Sequence, residues 1–257
     1  MGSHNSILHL FPPINWPIKV NVNWIFLYVN AGSIVMAKVQ RSNSHAIQGG
    51  TPMRRKEFNV DEEQEMITFL DQCSFGFLGT VSPDGQPRVT PLNFVYMDGC
   101  FYFHGSLAGE KMKQIKQDSS VSFTVAEEFS LIPSYFSDPE LACPATSFFK
   151  SVMAFGQAEQ IQDLDIKGKV LQRFMEKLQP QGGYIPIDAA DPRYKGNLKA
   201  VAVVRIVPER VSAKFKFGQN LSAERFDHIS GELEQRNEGR DAETAEMMRK
   251  YCPFHQK

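Results

Sequence analysis

Arg88 and Thr90 stand two residues apart in the run RVTPLNFVY, and on an extended strand such a pair shares one face. Lys111 comes two residues after Gly109 in GEKMKQIKQ, which reads as a short basic helix over Gly109–Gln117 with Met112 and Ile115 on its buried side. Free N–H groups and the dipole at the start of a helix favour an anion, and Ser106, just ahead of it, adds a hydroxyl. Cations and hydroxyls so gathered are what a phosphate requires. His104 closes the aromatic strand CFYFH and is the only histidine between residues 46 and 227, which makes it the candidate for a substrate-facing, proton-carrying group. Plainer readings stand beside these. Arg88 is also what a solvated strand edge carries; Lys111, Lys113 and Lys116 also suit the exposed face of a short helix; His104 also suits a hydrogen-bonded structural role.

The elements that must hold these residues follow a regular punctuation. Asp61–Cys73 is acid-rich in its first turn and amphipathic, hence helical. Phe75–Val81 reads as a strand, Ser82–Pro87 as a turn and Arg88–Tyr96 as the next strand. Met97-Asp98-Gly99 makes a tight hairpin into Cys100–His104. Val121–Val125 alternates like a half-exposed strand, and Ser147–Ile161 is a long one with Gly156 at a bulge or bend. Leu164–Leu178 is helical, Gln179–Leu198 a loop, and Val201–Val207 a final apolar strand. Helices over Ser222–Gln235 and Ala242–Tyr251 complete the chain. Antiparallel hairpins with helices between them predict an α+β fold, a small barrel with helical flanks.

Composition narrows the classes. Charged residues are 22% of the chain, the hydrophobic set is 42% and the formal net charge is −1, so no cationic field invites nucleic acid. Cys73, Cys100, Cys143 and Cys252 are scattered without a C-x-x-C pair; neither a disulfide framework nor a metal site is expected, and a cytoplasmic setting fits. No apolar run reaches the length of a membrane span. Phosphate-loop, dinucleotide-fold, zincin and α/β-hydrolase motifs are all missing. Residues 1–52 contain no Asp or Glu and hold both tryptophans, Trp16 and Trp24. They read as a poorly ordered extension, with Met36 or Met53 as the working initiator. A folded domain is expected over 53–220 and a helical tail over 221–257.

Within 53–180 an ordered set of short motifs resembles the pyridoxamine 5'-phosphate oxidase-like split-barrel superfamily, most nearly its nitroimidazole-resistance type. The set comprises MRRKEF (Met53–Phe58), Phe103-His104, Gly109-Glu110-Lys111 and Lys150-Ser151-Val152. KFKFGQN (Lys214–Asn220) is similar to the carboxy-terminal part of split-barrel flavin-binding regulators. The late tryptophan of a true pyridoxamine phosphate oxidase is missing, and where nitroimidazole-resistance relatives often show a histidine two residues before the helix lysine, this chain has Glu110 immediately before Lys111.

The resemblance implies an FMN-binding split β-barrel, antiparallel and Greek-key-like, in a homodimer with one FMN per protomer between the barrels. It implies that Arg88 and Lys111 grip the phosphate with help from Ser106, and that Thr90 and Asn93 meet the ring or ribityl chain. Phe103 and His104 would line the floor, with His104 the catalytic candidate; Lys150 and Ser151 would arrive on the Lys-Ser-Val strand, across the dimer. The implied activity passes electrons from a reduced nicotinamide cofactor to a small acceptor such as a nitro compound or quinone. FAD, a deazaflavin and haem are alternative cofactors, with His104 or His255 as an axial ligand for haem. A flavin-binding regulator without turnover is a further alternative.

Overall fold

The computed structural model describes residues 24–29, 33–38, 55–60 and 62–254. The chain divides into two units, Met1–Ala46 and Ile47–Lys257. In the first, β1 (Trp24–Val29) and β2 (Ser33–Lys38) pair antiparallel. The rest of the 1–52 extension, and the expectation of poor order there, lie outside the described residues.

The second unit begins with α1 (Glu63–Gln72), β3 (Phe75–Val81), β4 (Pro87–Asn93), β5 (Val95–Met97), β6 (Cys100–Ser106) and α2 (Glu110–Gln117). It continues with β7 (Ser120–Ile132), β8 (Thr146–Ile161), α3 (Leu164–Leu178) and α4 (Pro192–Ala200). β9 (Val201–Lys216), α5 (Ala223–Arg236) and α6 (Asp241–Lys250) follow. Seven strands form one antiparallel sheet in the order β4-β3-β7-β8-β9-β6-β5. The two edge strands, β4 and β5, are separated in the chain by Phe94 alone, so the sheet must roll until its edges meet, and β4 comes against β6. The result is an α+β split barrel with flanking helices.

Phenylalanine fills the barrel. Phe94, Phe101, Phe103, Phe123, Phe148, Phe215 and Phe217 are all fully buried, and α5 and α6 add Phe226, Ile229, Leu233 and Met248 to the same cluster. Burying a side chain of this size contributes about 1.5–3 kcal/mol, so both helices of the tail have a strong reason to stay docked. A smaller cluster of Tyr102, Val170, Phe174 and Val203 seats α3 against β6 and β9. The outward face of the sheet is also apolar: Phe75 and Phe77 on β3, Val89 on β4 and Met153 and Phe155 on β8 are exposed.

Several sequence expectations change in detail. Arg88–Tyr96 is two strands, broken at Phe94, which turns the chain from one sheet edge to the other. The loop expected over Gln179–Leu198 contains α4: Asp191 caps it by accepting from Arg193 N–H, and Pro192 occupies the first turn, where its missing donor costs nothing. β7 runs to Ile132 and β9 to Lys216, well beyond Val125 and Val207. Pro208 is tolerated in β9 because it faces Gly156, where the register shifts. A Cβ on Gly156 would lie 2.1 Å from the Val207 carbonyl oxygen, so the bulge requires glycine.

Candidate functional site

Arg88 and Thr90 leave β4 on the side of α2, and between that strand and the first turn of the helix lies a cleft of about 340 Å³. Arg88, Val89, Thr90, Glu110, Lys111 and Gln114 line it. Gly109 starts α2 without a side-chain cap, so the cap residue itself leaves the first-turn N–H groups to other partners. Ser106 holds the approach: its hydroxyl accepts from Ala108 N–H at 3.3 Å and its carbonyl from Gly109 N–H at 3.4 Å. The Lys111 ammonium lies over Gly105, where a Cβ would stand only 3.2 Å from Nζ; glycine there lets the lysine cross β6.

A hydrogen-bonded chain runs behind the cleft. Thr80 on β3 donates to Gln114 Oε1 at 2.6 Å, and Gln114 Nε2 donates to Glu110 Oε1 at 3.2 Å. Gln114 is 2% exposed and Thr80 4%. Glu110 Oε1 then meets Arg88 Nε at 3.7 Å, with the two side chains 73% and 54% exposed respectively. An ion pair so long and so wet holds its partners weakly, in the range of about 0–1 kcal/mol. Arg88 therefore keeps most of its hydrogen-bonding capacity for something else.

His104 lies on the face of β6 opposite Phe103. Its imidazole is exposed in part but stands edge-on to Phe174, with ring centroids 4.8 Å apart. Partial loss of water at the ring, and then the charge of Lys111, lower its pKa from the ordinary 6.5. The ring is thus predominantly neutral at pH 7, a base or ligand rather than a cation.

The chain brings together Arg88, Thr90 and Lys111, with Ser106 and His104 on the adjoining strand. Others lie elsewhere. Phe103 is fully buried in the barrel core and presents no ring surface to a ligand. Asn93, an odd number of residues from Arg88, leaves β4 by the other face and donates to the Ser74 carbonyl at 2.9 Å. Lys150 and Ser151 lie on β8, three strands from β4 in the sheet order, about 14 Å at ordinary strand spacing. Lys150 Nζ sits 5.0 Å from the centre of the Phe129 ring and 5.1 Å from that of Phe215, and burial lowers its pKa. Ser151 is opposite Ala126 and Lys214 and shares the outward face with Met153. Thr80 and Gln114 are participants the sequence reading missed. The available signal was a threonine at an inward position of β3, in step with buried Leu78.

A family model described as pyridoxamine 5'-phosphate oxidase matches residues 62–215. No curated protein matches the chain. Among solved structures, the chain is similar to the flavocytochrome Anf3 from Azotobacter vinelandii. Identity is 25%, over 65% of this chain and 72% of that one, with a TM-score of 0.54. It is also similar to an FAD and heme binding protein from Mycobacterium smegmatis, at 17% identity over 67% and 79% of the two chains and a TM-score of 0.50. A conserved hypothetical protein from Mycobacterium tuberculosis is 23% identical over 63% and 89%, also with a TM-score of 0.50. The last two likenesses are likenesses of fold.

Proposed function

We propose, since this chain belongs to the pyridoxamine 5'-phosphate oxidase family, that it binds FMN and passes electrons from a reduced nicotinamide cofactor to a small acceptor such as a nitro compound or quinone. The observation that carries the reading is the cleft in which Arg88 and Lys111 lie beside Thr90, with Glu110, weakly paired to Arg88, as the acidic residue of its lining. These residues fit a phosphoester: two cations and a hydroxyl converge on an open volume at an uncapped helix start. Bound there, FMN would supply reversible two-electron chemistry. Arg88 and Lys111 would hold its phosphate and Thr90 the adjoining chain, while neutral His104 would offer a proton acceptor on the neighbouring strand.

A homodimer completes this reading. Phe75, Phe77, Val89, Met153 and Phe155 form an exposed apolar face, and contiguous apolar surface of this kind suits a partner. Ser151 belongs to the same face, so pairing two sheets through it would set Ser151 against the partner. The flavocytochrome likeness supports a flavin reading and keeps haem as the competing one, with His104 as its ligand.

The test is the absorbance spectrum of the protein as purified, with the released chromophore identified by mass. A flavin spectrum that bleaches anaerobically with NADH or NADPH and recovers with a nitro compound or quinone is the expected result. A Soret-dominated spectrum would replace the reading with haem binding, and a flavin that never bleaches would leave a binding module without turnover.

A further inference from the structure

Glu110 is out of place in an anion site. Arg88 and Lys111 give the cleft two positive charges, and the Glu110 carboxylate removes one of them. Its placement is built rather than incidental: Gln114 is buried, its oxygen is taken by Thr80, and its amide donates to the same Glu110 oxygen that faces Arg88. Thr80, Gln114, Glu110 and Arg88 thus form one line from the barrel wall to the cleft.

We propose that Glu110 is a tethered competitor for the cleft, a weakly held internal stand-in that faces Arg88 where the phosphoester would bind and gives way when a ligand arrives. This rests on the phosphoester reading above and adds to it a rule for the ligand's charge. With Glu110 in place the cleft carries a net charge of about +1, which matches a singly charged phosphate. A monoester such as FMN carries about −1.5 to −2 at pH 7, because its second proton leaves near pH 6. The dianion therefore meets repulsion from Glu110 that the monoanion feels less, and the protein holds its mononucleotide in an exchangeable way. Like charges at this spacing in partly wet surroundings interact measurably but not overwhelmingly.

The experiment is titration calorimetry of the flavin-free full chain with FMN and, separately, with inorganic phosphate, in the wild type and in Glu110→Gln and Glu110→Ala. Glu110 is exposed, so both variants should fold, and a thermal melt verifies it. At pH 7.5 and low salt both variants are expected to bind FMN about tenfold more tightly than wild type. The gain should shrink to about threefold at pH 5.5 and fall with added salt. Inorganic phosphate should follow the same order. Equal affinity in wild type and variants overturns the proposal while leaving the FMN reading intact. Weaker binding by the variants also overturns it and makes Glu110 an orienting partner of Arg88. Failure of all three proteins to bind FMN or phosphate overturns the reading and the proposal together.

Discussion

Two arginines, Arg236 on α5 and Arg88 on β4, show how differently one side chain is used in two regions of this molecule. Arg236, near the end of α5, donates from Nε and Nη2 to Asp241 at 2.6 and 2.7 Å and from Nη2 to the Leu131 carbonyl at 2.9 Å. Asp241 is 2% exposed and also accepts from Ser130 Oγ at 2.8 Å and Glu238 N–H at 3.0 Å. Both carboxylate oxygens of Asp241 and two of the three guanidinium nitrogens of Arg236 are engaged by the protein. Arg88 has one long ion pair, with Glu110, and a weaker attraction to Asp84. A charge the fold has saturated is a structural part; a charge the fold has left nearly unpaired is available to a ligand.

The sharpest way to break the contrast is Asp241→Ala, which leaves Arg236 and Ser130 without their shared partner. A loss of about 3–5 kcal/mol is expected in a denaturant melt, with FMN affinity per folded molecule unchanged. The Arg236 guanidinium holds the Asp241 carboxyl below its ordinary value of 3.8. Its stabilisation is therefore complete above that pH and is withdrawn as pH falls below it, so Asp241→Asn should flatten the acid limb of a stability–pH curve.

Arg88→Ala should do the opposite. FMN affinity is expected to fall about 10–100-fold by calorimetry, while stability changes by less than about 0.5 kcal/mol. Thr80→Val lies between the two, since it strands the buried oxygen of Gln114. A loss of about 1–2 kcal/mol is expected in the melt, together with a loosened Glu110. The smallest effect concerns His104. Its imidazole should titrate below 6.5 in NMR, and Lys111→Met should move that value upward by removing the nearby positive charge.

How much of this was legible in the sequence depends on the range of the interaction that decides it. β3 and α3 appear with the limits expected for them, Phe75–Val81 and Leu164–Leu178, because alternation and amphipathicity are local. Gly156 announced its bulge for the same reason. α4 was hidden because Pro192 reads as a loop residue until Asp191 is recognised as the cap before it. The length of β9 was hidden because Pro208 is permissible only opposite a bulge on a different strand. In the site, Arg88, Thr90 and Lys111 were legible from spacing. The Thr80–Gln114 bond, spanning 34 residues, exists only once α2 lies across β3. Phe103 misled because aromatic residues around a cofactor and in a core look alike in one dimension; parity with Phe101 places both inside.

Phe94 carries a consequence for how the protein can evolve. It alone links the two rims of the barrel, its ring is sealed inside, and its carbonyl accepts from Lys177 Nζ at 3.3 Å. That clasp has no spare length. A residue inserted beside it would force β4 to slip by one position against β3, and because strand side chains alternate, Val89 would turn toward α2 while Arg88 swung to the apolar outer face. The exposed turn residues Pro83–Gln86 do not join the two rims, so variation in length should collect there, and the clasp should keep its spacing for as long as the cleft keeps its charge.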